Sequence, residues 1–277
     1  MNSNPHWALI LGVTGGTGVA IAKAVARDPG LNVVGLHRGH FPERAELVRE
    51  ALAEAGGELR LIVRDAGRAE TAAETAGELV QELGPRSIKL FVHAIAQASV
   101  GRFTSVGDDR LHPAQIRRSF EAMAHSFVYW AQELSAHDLL APEARLLALS
   151  NPMDDAAVSG TAAIAACKAA LGAYVRHLAH ELGPKGHRVN LLKFGAVTTA
   201  AVSRTFGGPE GVGRLRTTLE RAIPARRLCT PDEVARFVGV LAGEAGAWFN
   251  GATIDFTGGE FQGLMNVVLE NQGGQIP

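Results

Sequence analysis

Gly12-Val13-Thr14-Gly15-Gly16-Thr17-Gly18-Val19-Ala20-Ile21-Ala22 is the stretch on which the fold of this chain turns. It follows the apolar run 7–11 and passes directly into a pattern of helical period. Glycine suits such a turn, because the backbone must bend tightly and approach a phosphate without a Cβ in the way. The helix that follows offers free amides and the positive end of its dipole. A glycine-rich chain also makes such spacings as plain structural turns. Position separates the two possibilities: the loop closes a first strand, opens a helix and lies about 20 residues before the end of a second strand, as in dinucleotide-binding units.

Outward from this loop, short apolar runs of strand length at 7–11, 33–36, 59–63, 88–92, 146–149, 189–192 and 252–256 alternate with helical stretches near 17–28, 43–55, 69–82, 113–136, 161–183, 210–221 and 231–242. Such alternation requires crossover connections and so implies a parallel sheet covered on both faces. The expectation is an α/β, Rossmann-type doubly wound parallel sheet of about seven strands. No Pro/Ser-rich linker or internal repeat divides the chain, which reads as one domain over 1–277.

Composition narrows the function. The 277 residues are 47% hydrophobic, enough for a large buried core, and 27 Lys plus Arg face 28 Asp plus Glu for a net charge of −1. No global positive field exists to hold a nucleic acid or an anionic membrane surface. Two cysteines, Cys167 and Cys229, fit a reducing compartment and exclude a cysteine-rich metal module. The start, Met-Asn-Ser-Asn-Pro-His, is not a secretion signal, and no apolar run reaches the length of a membrane span. A soluble, cytoplasmic protein is expected. His177 and His180 lie three apart on one helix, but no third ligand is evident, so no metal is expected.

At the end of the second strand stand His37 and Arg38, where a protein reading NAD usually places an acid against the ribose hydroxyls. An arginine pairs with an extra ribose phosphate that an acid would repel, so NADPH is favoured over NADH. A solvated surface arginine is the alternative, and Arg44 is a second candidate. After the third strand Asp65, with Ala66 beside it, is placed to accept from an adenine amino group or to close a simple turn.

Taken together these residues resemble the short-chain dehydrogenase/reductase family over nearly the whole chain. Gly12, Gly16 and Gly18 fit its TGxxxGxG motif, with Leu11 where threonine is usual and Thr14 and Thr17 between them. Val92-His93-Ala94-Ile95-Ala96 stands at its Asn-Asn-Ala-Gly segment, and Val189 to Thr199 is similar to its VNxxxPG segment. By that resemblance Gly195, Val197 and Thr199 contact the cofactor, Thr199 at the pyrophosphate. Thr230, Pro231 and Glu233 look like a capped helix start, and Thr257-Gly258-Gly259 resembles the Asp-Gly-Gly closing the last strand. Phe91-Val92-His93-Ala94-Ile95-Ala96, Ser126-Phe127-Val128 and Leu147-Ala148-Leu149-Ser150 are similar to the divergent enoyl-acyl-carrier-protein reductase branch. The resemblance implies a homotetramer or homodimer and a substrate lid around 200–222. Arg204, Arg214, Arg216 and Arg221 fall in that region, to meet an acidic carrier protein or coenzyme A phosphates, or simply to solvate a helix face.

The family's chemistry needs a lysine that holds the nicotinamide ribose beside a tyrosine that donates to the substrate oxygen. Lys168 fits the lysine, on the apolar stripe Ile164, Lys168, Leu171, Val175, Leu178, Leu182, where a buried charge requires a polar partner. Four residues earlier, the tyrosine's place holds Ile164; seven earlier, the place used by the enoyl-reductase branch holds Thr161. Asn151 stands at the serine position with Ser150 adjacent, and Met123 stands where an asparagine is frequent. Tyr129 and Tyr174 match no catalytic position and read as packing residues. Cys167 reads as a small buried helix residue rather than an activated thiol.

Removing one oxyanion donor typically costs roughly 10²–10³ in rate, so loss of the tyrosine does not by itself end catalysis. A conjugated alkene tolerates that loss better than a ketone, since its hydride goes to carbon and water can protonate the enolate. The expectation is an NADPH-dependent reductase of an enoyl-thioester or other activated alkene, free or carrier-bound. Lys168, Ser150, Asn151 and Thr161 are its candidate catalytic groups. The alternative is a non-redox protein that keeps the nucleotide as sensor or scaffold, or a cyclase or isomerase.

Overall fold

Leu9, Ile10, Leu11, Val33, Val34, Phe91, Val92, Leu146 and Leu147, the cores of four neighbouring strands, are completely buried in a computed structural model that describes residues 6–197, 208–264 and 267. Runs that are apolar on both faces belong in a sheet covered from both sides, and the strands are β1 (His6–Leu11), β2 (Leu31–His37), β3 (Leu59–Val63), β4 (Ile88–His93), β5 (Leu140–Ser150), β6 (Arg188–Phe194) and β7 (Thr253–Phe256). Among the described residues they form one parallel sheet in the order β3-β2-β1-β4-β5-β6-β7. Strand order reverses between β1 and β4, and ligands of such sheets bind in the crevice above that switch.

Helices α1 (Gly16–Val25), α2 (Pro42–Ala55), α3 (Ala69–Leu83), α4 (Pro113–Phe120), α5 (Ser126–Ala136), α6 (Ala162–Leu182), α7 (Gly208–Ala222) and α8 (Pro231–Ala242) connect the strands. Two cores result. Leu9, Phe91, Leu146 and Leu191 pack with Phe127 and Trp130 of α5 and with Leu171 and Val175 of α6. Ile10, Val92, Leu147 and Leu192 pack on the other face with Ile21 of α1 and Val234 and Val238 of α8.

Two elements depart from the sequence pattern. The stretch expected as one helix over 113–136 is interrupted by a π-helical turn at Glu121–His125. There the Ser126 hydroxyl donates to the Ala122 carbonyl at 2.9 Å and accepts from the buried His93 ring at 2.8 Å, and such side-chain competition for the ladder opens a helix locally. Strand β5 begins six residues before the apolar run 146–149. Its leading part carries a bulge in which Lys89 donates to the Pro142 carbonyl (2.6 Å) and Arg145 to that of Glu143 (2.7 Å), and Glu143 has φ 55°. The other boundaries lie close to the pattern.

Candidate active site

The loop between β1 and α1 is built around two glycines. Gly12 has φ 78°, and a Cβ there would sit 2.8 Å from the Ala94 carbonyl oxygen; a Cβ on Gly18 would collide with the Gly12 carbonyl. The β1 loop, the helix and the end of β4 are therefore held at backbone contact. Helix α1 starts with no side-chain cap and no acid in its first turn, which leaves its first amides to an outside anion.

A cleft runs along this loop. Gly12, Thr14, Gly16, Thr17 and Gly18 form its floor, His37 and Arg38 one end, Asp65 and Ala66 a side, and Ala94, Ile95 and Ala96 the far wall. Twelve residues expected to meet a cofactor are thus brought together. His40, Phe41, Arg44 and Arg64 line it as well. Arg64 is committed to Glu78 through two hydrogen bonds of 2.8 Å. Arg44 lies over the Phe41 ring, 4.5 Å from its centroid, and reaches the Thr14 carbonyl at 3.4 Å. Arg38 is exposed and forms no ion pair among the described residues. His37 is buried, and its Nδ1 accepts from the Gly39 amide at 3.1 Å; burial, then the charge of Arg49, holds its pKa below the usual value. The ring is a neutral brace for the turn that presents Arg38. Asp65 accepts from the Gly67 amide through one oxygen at 3.1 Å and so also closes a turn.

The second part of the site is at the carboxyl end of β5. Lys168 is buried, its ammonium donates to the Leu149 carbonyl at 2.8 Å, and among the described residues its other two protons have no hydrogen-bond partner. Burial pushes its pKa down to about 8, against the opposing pull of Cys167 and Asp154. Among the described residues, buried Ser150 makes one long contact of 3.4 Å to the Asn151 carbonyl, and Asn151 accepts from the Met153 amide through its side-chain oxygen while its NH₂ has no partner. Thr161 stands apart: its hydroxyl donates to the Val158 carbonyl at 2.9 Å and faces a separate pocket formed by residues 153–158. Met123 and Ile164 pack together with Ala124 and Cys167 in one apolar cluster beside Lys168. The Cys167 thiol, raised to about 11 by burial, stays protonated. His93 is fully buried and held down to about 3, first by burial and then by Lys168, so it is neutral.

Gly195 and Val197 are buried just after β6, and Glu260 accepts from the intervening Ala196 amide at 2.8 Å. Thr199 and Arg204 lie outside the described residues, as does the first part of the expected lid. Within α7, Arg214 and Arg216 pair with Glu210 (3.8 Å) and Glu220 (2.7 Å) along an exposed face, and the Arg221 carbonyl accepts from Arg226. His177 and His180 are exposed, and no group of three potential metal ligands occurs among the described residues. No described helix is long and apolar enough to cross a membrane.

Sequence reasoning missed one feature of this edge. Lys193 of β6 is 8% exposed, and its ammonium lies 3.0 Å from Asp154 and 2.7 Å from Asp155. A lysine inside the apolar run Leu191-Leu192-Lys193-Phe194, with two aspartates soon after the end of the neighbouring strand, was the available signal.

Residues 12–260 match the family model described as enoyl-(acyl carrier protein) reductase. A relative from Streptomyces collinus, 1-cyclohexenylcarbonyl-CoA reductase, is 29% identical over 255 residues, covering 91% of this chain and 85% of that protein. A short-chain dehydrogenase/reductase of Serratia marcescens superposes with a TM-score of 0.75 at 26% identity, over 92% of this chain and 97% of that one. The L-sorbose reductase of Gluconobacter frateurii, solved with NADPH and L-sorbose, shares the fold at a TM-score of 0.81 and 20% identity, over 95% and 98% of the two chains.

Proposed function

The chain belongs to the short-chain dehydrogenase/reductase family, in the group described as enoyl-(acyl carrier protein) reductases, and from that premise we propose that it is an NADPH-dependent reductase of the conjugated double bond of an acyl thioester. The observation that carries the proposal is the pairing of a glycine-walled cleft, which carries Arg38 and Arg44 and is opened by a helix with no acid in its first turn, with a buried lysine whose ammonium makes one hydrogen bond among the described residues. The glycine cradle and uncapped helix suit a pyrophosphate, and the two arginines suit the additional ribose phosphate. Asp65 keeps one carboxylate oxygen for the adenine amino group. Ala94, Ile95, Ala96, Gly195, Val197 and Thr199 complete the proposed cofactor contacts, and Lys168 takes the ribose hydroxyls. When bound, the reduced nicotinamide supplies a hydride.

The protein's own task is then to accommodate charge on the thioester oxygen. Ser150, whose hydroxyl is only weakly engaged, and the Asn151 NH₂ are the neutral donors we assign to it, since they follow directly on Leu149, whose carbonyl holds the lysine. Thr161, bound to Val158, is the weaker of the proposed groups. Ile164 and Met123, at the family's tyrosine and asparagine positions, pack as apolar groups, and the hydroxyl of Tyr174 beside them is 3.0 Å from the His125 ring, which supports reduction at carbon over direct protonation of an alkoxide. The Streptomyces relative's name, a reductase of a cyclohexenylcarbonyl thioester, points to the same class of acceptor. A carrier-bound or coenzyme A thioester, and assembly as a homotetramer or homodimer, belong to the same proposal.

The test is the decay of NADPH absorbance with a series of 2-enoyl and 3-ketoacyl thioesters, alongside NADPH binding by fluorescence. Turnover confined to the enoyl series is expected. Tight binding with no turnover on any acceptor would favour a non-redox protein that retains the nucleotide.

A further inference from the structure

Glu260 is a buried carboxyl group to which the reaction outlined above gives no task. It is 2% exposed, and among the described residues its side chain accepts one hydrogen bond, from the Ala196 amide to Oε2 at 2.8 Å. Burial holds its pKa above the ordinary carboxylate value against the pull of that amide, and nearby Asp255 adds to the rise. A serine or an asparagine could satisfy one backbone N–H at lower cost than a carboxylate taken out of water.

The chain is shaped on both sides to admit this group. Gly258 and Gly259, at φ 67° and 81°, turn the backbone after β7, and Glu260 follows them toward the end of β6. Gly195, on the β6 side, is not among the glycines of positive φ, so its backbone conformation does not call for glycine. Space does: a Cβ at Gly195 would collide with the Glu260 Oε2 and lie 3.3 Å from the Thr257 carbonyl oxygen. Behind the turn stands the end of α7, where a Cβ on Gly263 would meet the Ala222 carbonyl and one on Gly259 would lie 3.4 Å from the Pro224 ring. Gly195–Val197 is thus pinned at its amide and packed against a braced turn.

That segment follows β6 at the carboxyl edge of the sheet, beside β5, whose Leu149 carbonyl holds Lys168. The cleft with Arg38 and Asp65 lies on the other side of the switch between β1 and β4. A dinucleotide seated with its adenine half in that cleft extends its nicotinamide half toward β5 and β6. On the cofactor half of the reductase reading above, we propose that Glu260 is a positioning residue, which by holding the Ala196 amide fixes Gly195–Val197 as the seat of the nicotinamide ring. In this role its carboxyl touches neither cofactor nor acceptor. It acts through the backbone of the seat, and a misplacement of about 1 Å at such a site costs roughly 10²-fold in rate.

Glu260→Leu, Glu260→Gln and Glu260→Asp are compared with the unmodified protein by calorimetric titration of NADPH and of 2′-phospho-ADP-ribose, which lacks the nicotinamide ring. Leucine removes the acceptor, glutamine keeps one at the same reach, and aspartate withdraws its carboxylate by one methylene. Glu260→Leu is expected to weaken NADPH about 10-fold and to leave 2′-phospho-ADP-ribose within about two-fold. Glu260→Asp is expected to follow it in direction, while Glu260→Gln stays within about three-fold of the unmodified protein on both ligands. An unchanged ratio of the two affinities in Glu260→Leu, equal losses on both ligands, or a glutamine variant as weak as the leucine one would overturn the inference and leave the reductase reading standing. If Glu260→Leu does not fold, Glu260→Asp decides, and an unchanged ratio there overturns it. No binding of NADPH by the unmodified protein would overturn the reductase reading and this inference with it.

Discussion

Lys168 occupies a place that costs the protein stability. Its pKa falls from 10.5 to about 8 on burial, so the unfolded chain binds the proton more tightly than the folded one between those values. Stability therefore rises as pH increases from about 8 to 10.5, and below 8 the buried charge destabilises the fold by about 3 kcal/mol. Lys168→Met should raise the melting temperature at pH 7 by several degrees while lowering kcat at least 10²-fold; a thermal melt and a turnover assay on the same preparation check both signs. If the ammonium form is the active one, kcat falls above about pH 8 in the unmodified protein, and no limb from His93 appears near neutrality, since its pKa is about 3. At the other end of the cleft, Arg38→Glu combined with Arg44→Glu should weaken NADPH by about 10²-fold and leave NADH within a few-fold, measured by fluorescence titration. Lys168 was legible in the sequence because a lone charge on an apolar helical stripe demands a partner. Lys193 was not, because its partners sit in a turn whose path depends on where β5 ends.

Helix α1 and its loop are constrained by contact rather than by hydrogen bonds alone. Gly18→Ala puts a methyl against the Gly12 carbonyl, and the expected result is loss of NADPH binding with a native-like far-UV spectrum. Helix α8 shows the opposite kind of specification, written locally. Thr230 accepts from the Glu233 amide at 3.2 Å, and Glu233 returns to the Thr230 amide at 2.9 Å. Thr230→Ala should cost about 1 kcal/mol by urea unfolding. Glu233, held down to about 2 chiefly by Arg227, contributes stability above its unfolded pKa of 4.5 that is lost as pH falls toward 2. That cap, the seven apolar runs and the glycine turn were readable because each is a local pattern. The π-turn at Glu121–His125 was not, since its cause is the contact of Ser126 with His93, 33 residues away. The cluster of Met123 with Ile164 was legible only as two separate departures from a family pattern, and becomes one packed unit in the fold.

At the scale of the whole molecule, a net charge of −1 conceals two local positive sites, the pair Arg38 and Arg44 in the cleft and the buried ammonium of Lys168. The sheet places both at its carboxyl edge, on either side of the switch between β1 and β4. On the proposed reading, the phosphates of the nucleotide meet the arginines and its nicotinamide ribose meets the lysine. Hydride delivery to carbon is the claim that joins the two halves, and isotope transfer tests it directly. The protein is incubated with a 2-enoyl thioester and NADPH deuterated at the reactive position of its nicotinamide, and the product is analysed by mass spectrometry and proton NMR. Deuterium at the β-carbon of a saturated thioester is the predicted result. Deuterium retained in the nucleotide, with the acceptor returned unreduced, would contradict it.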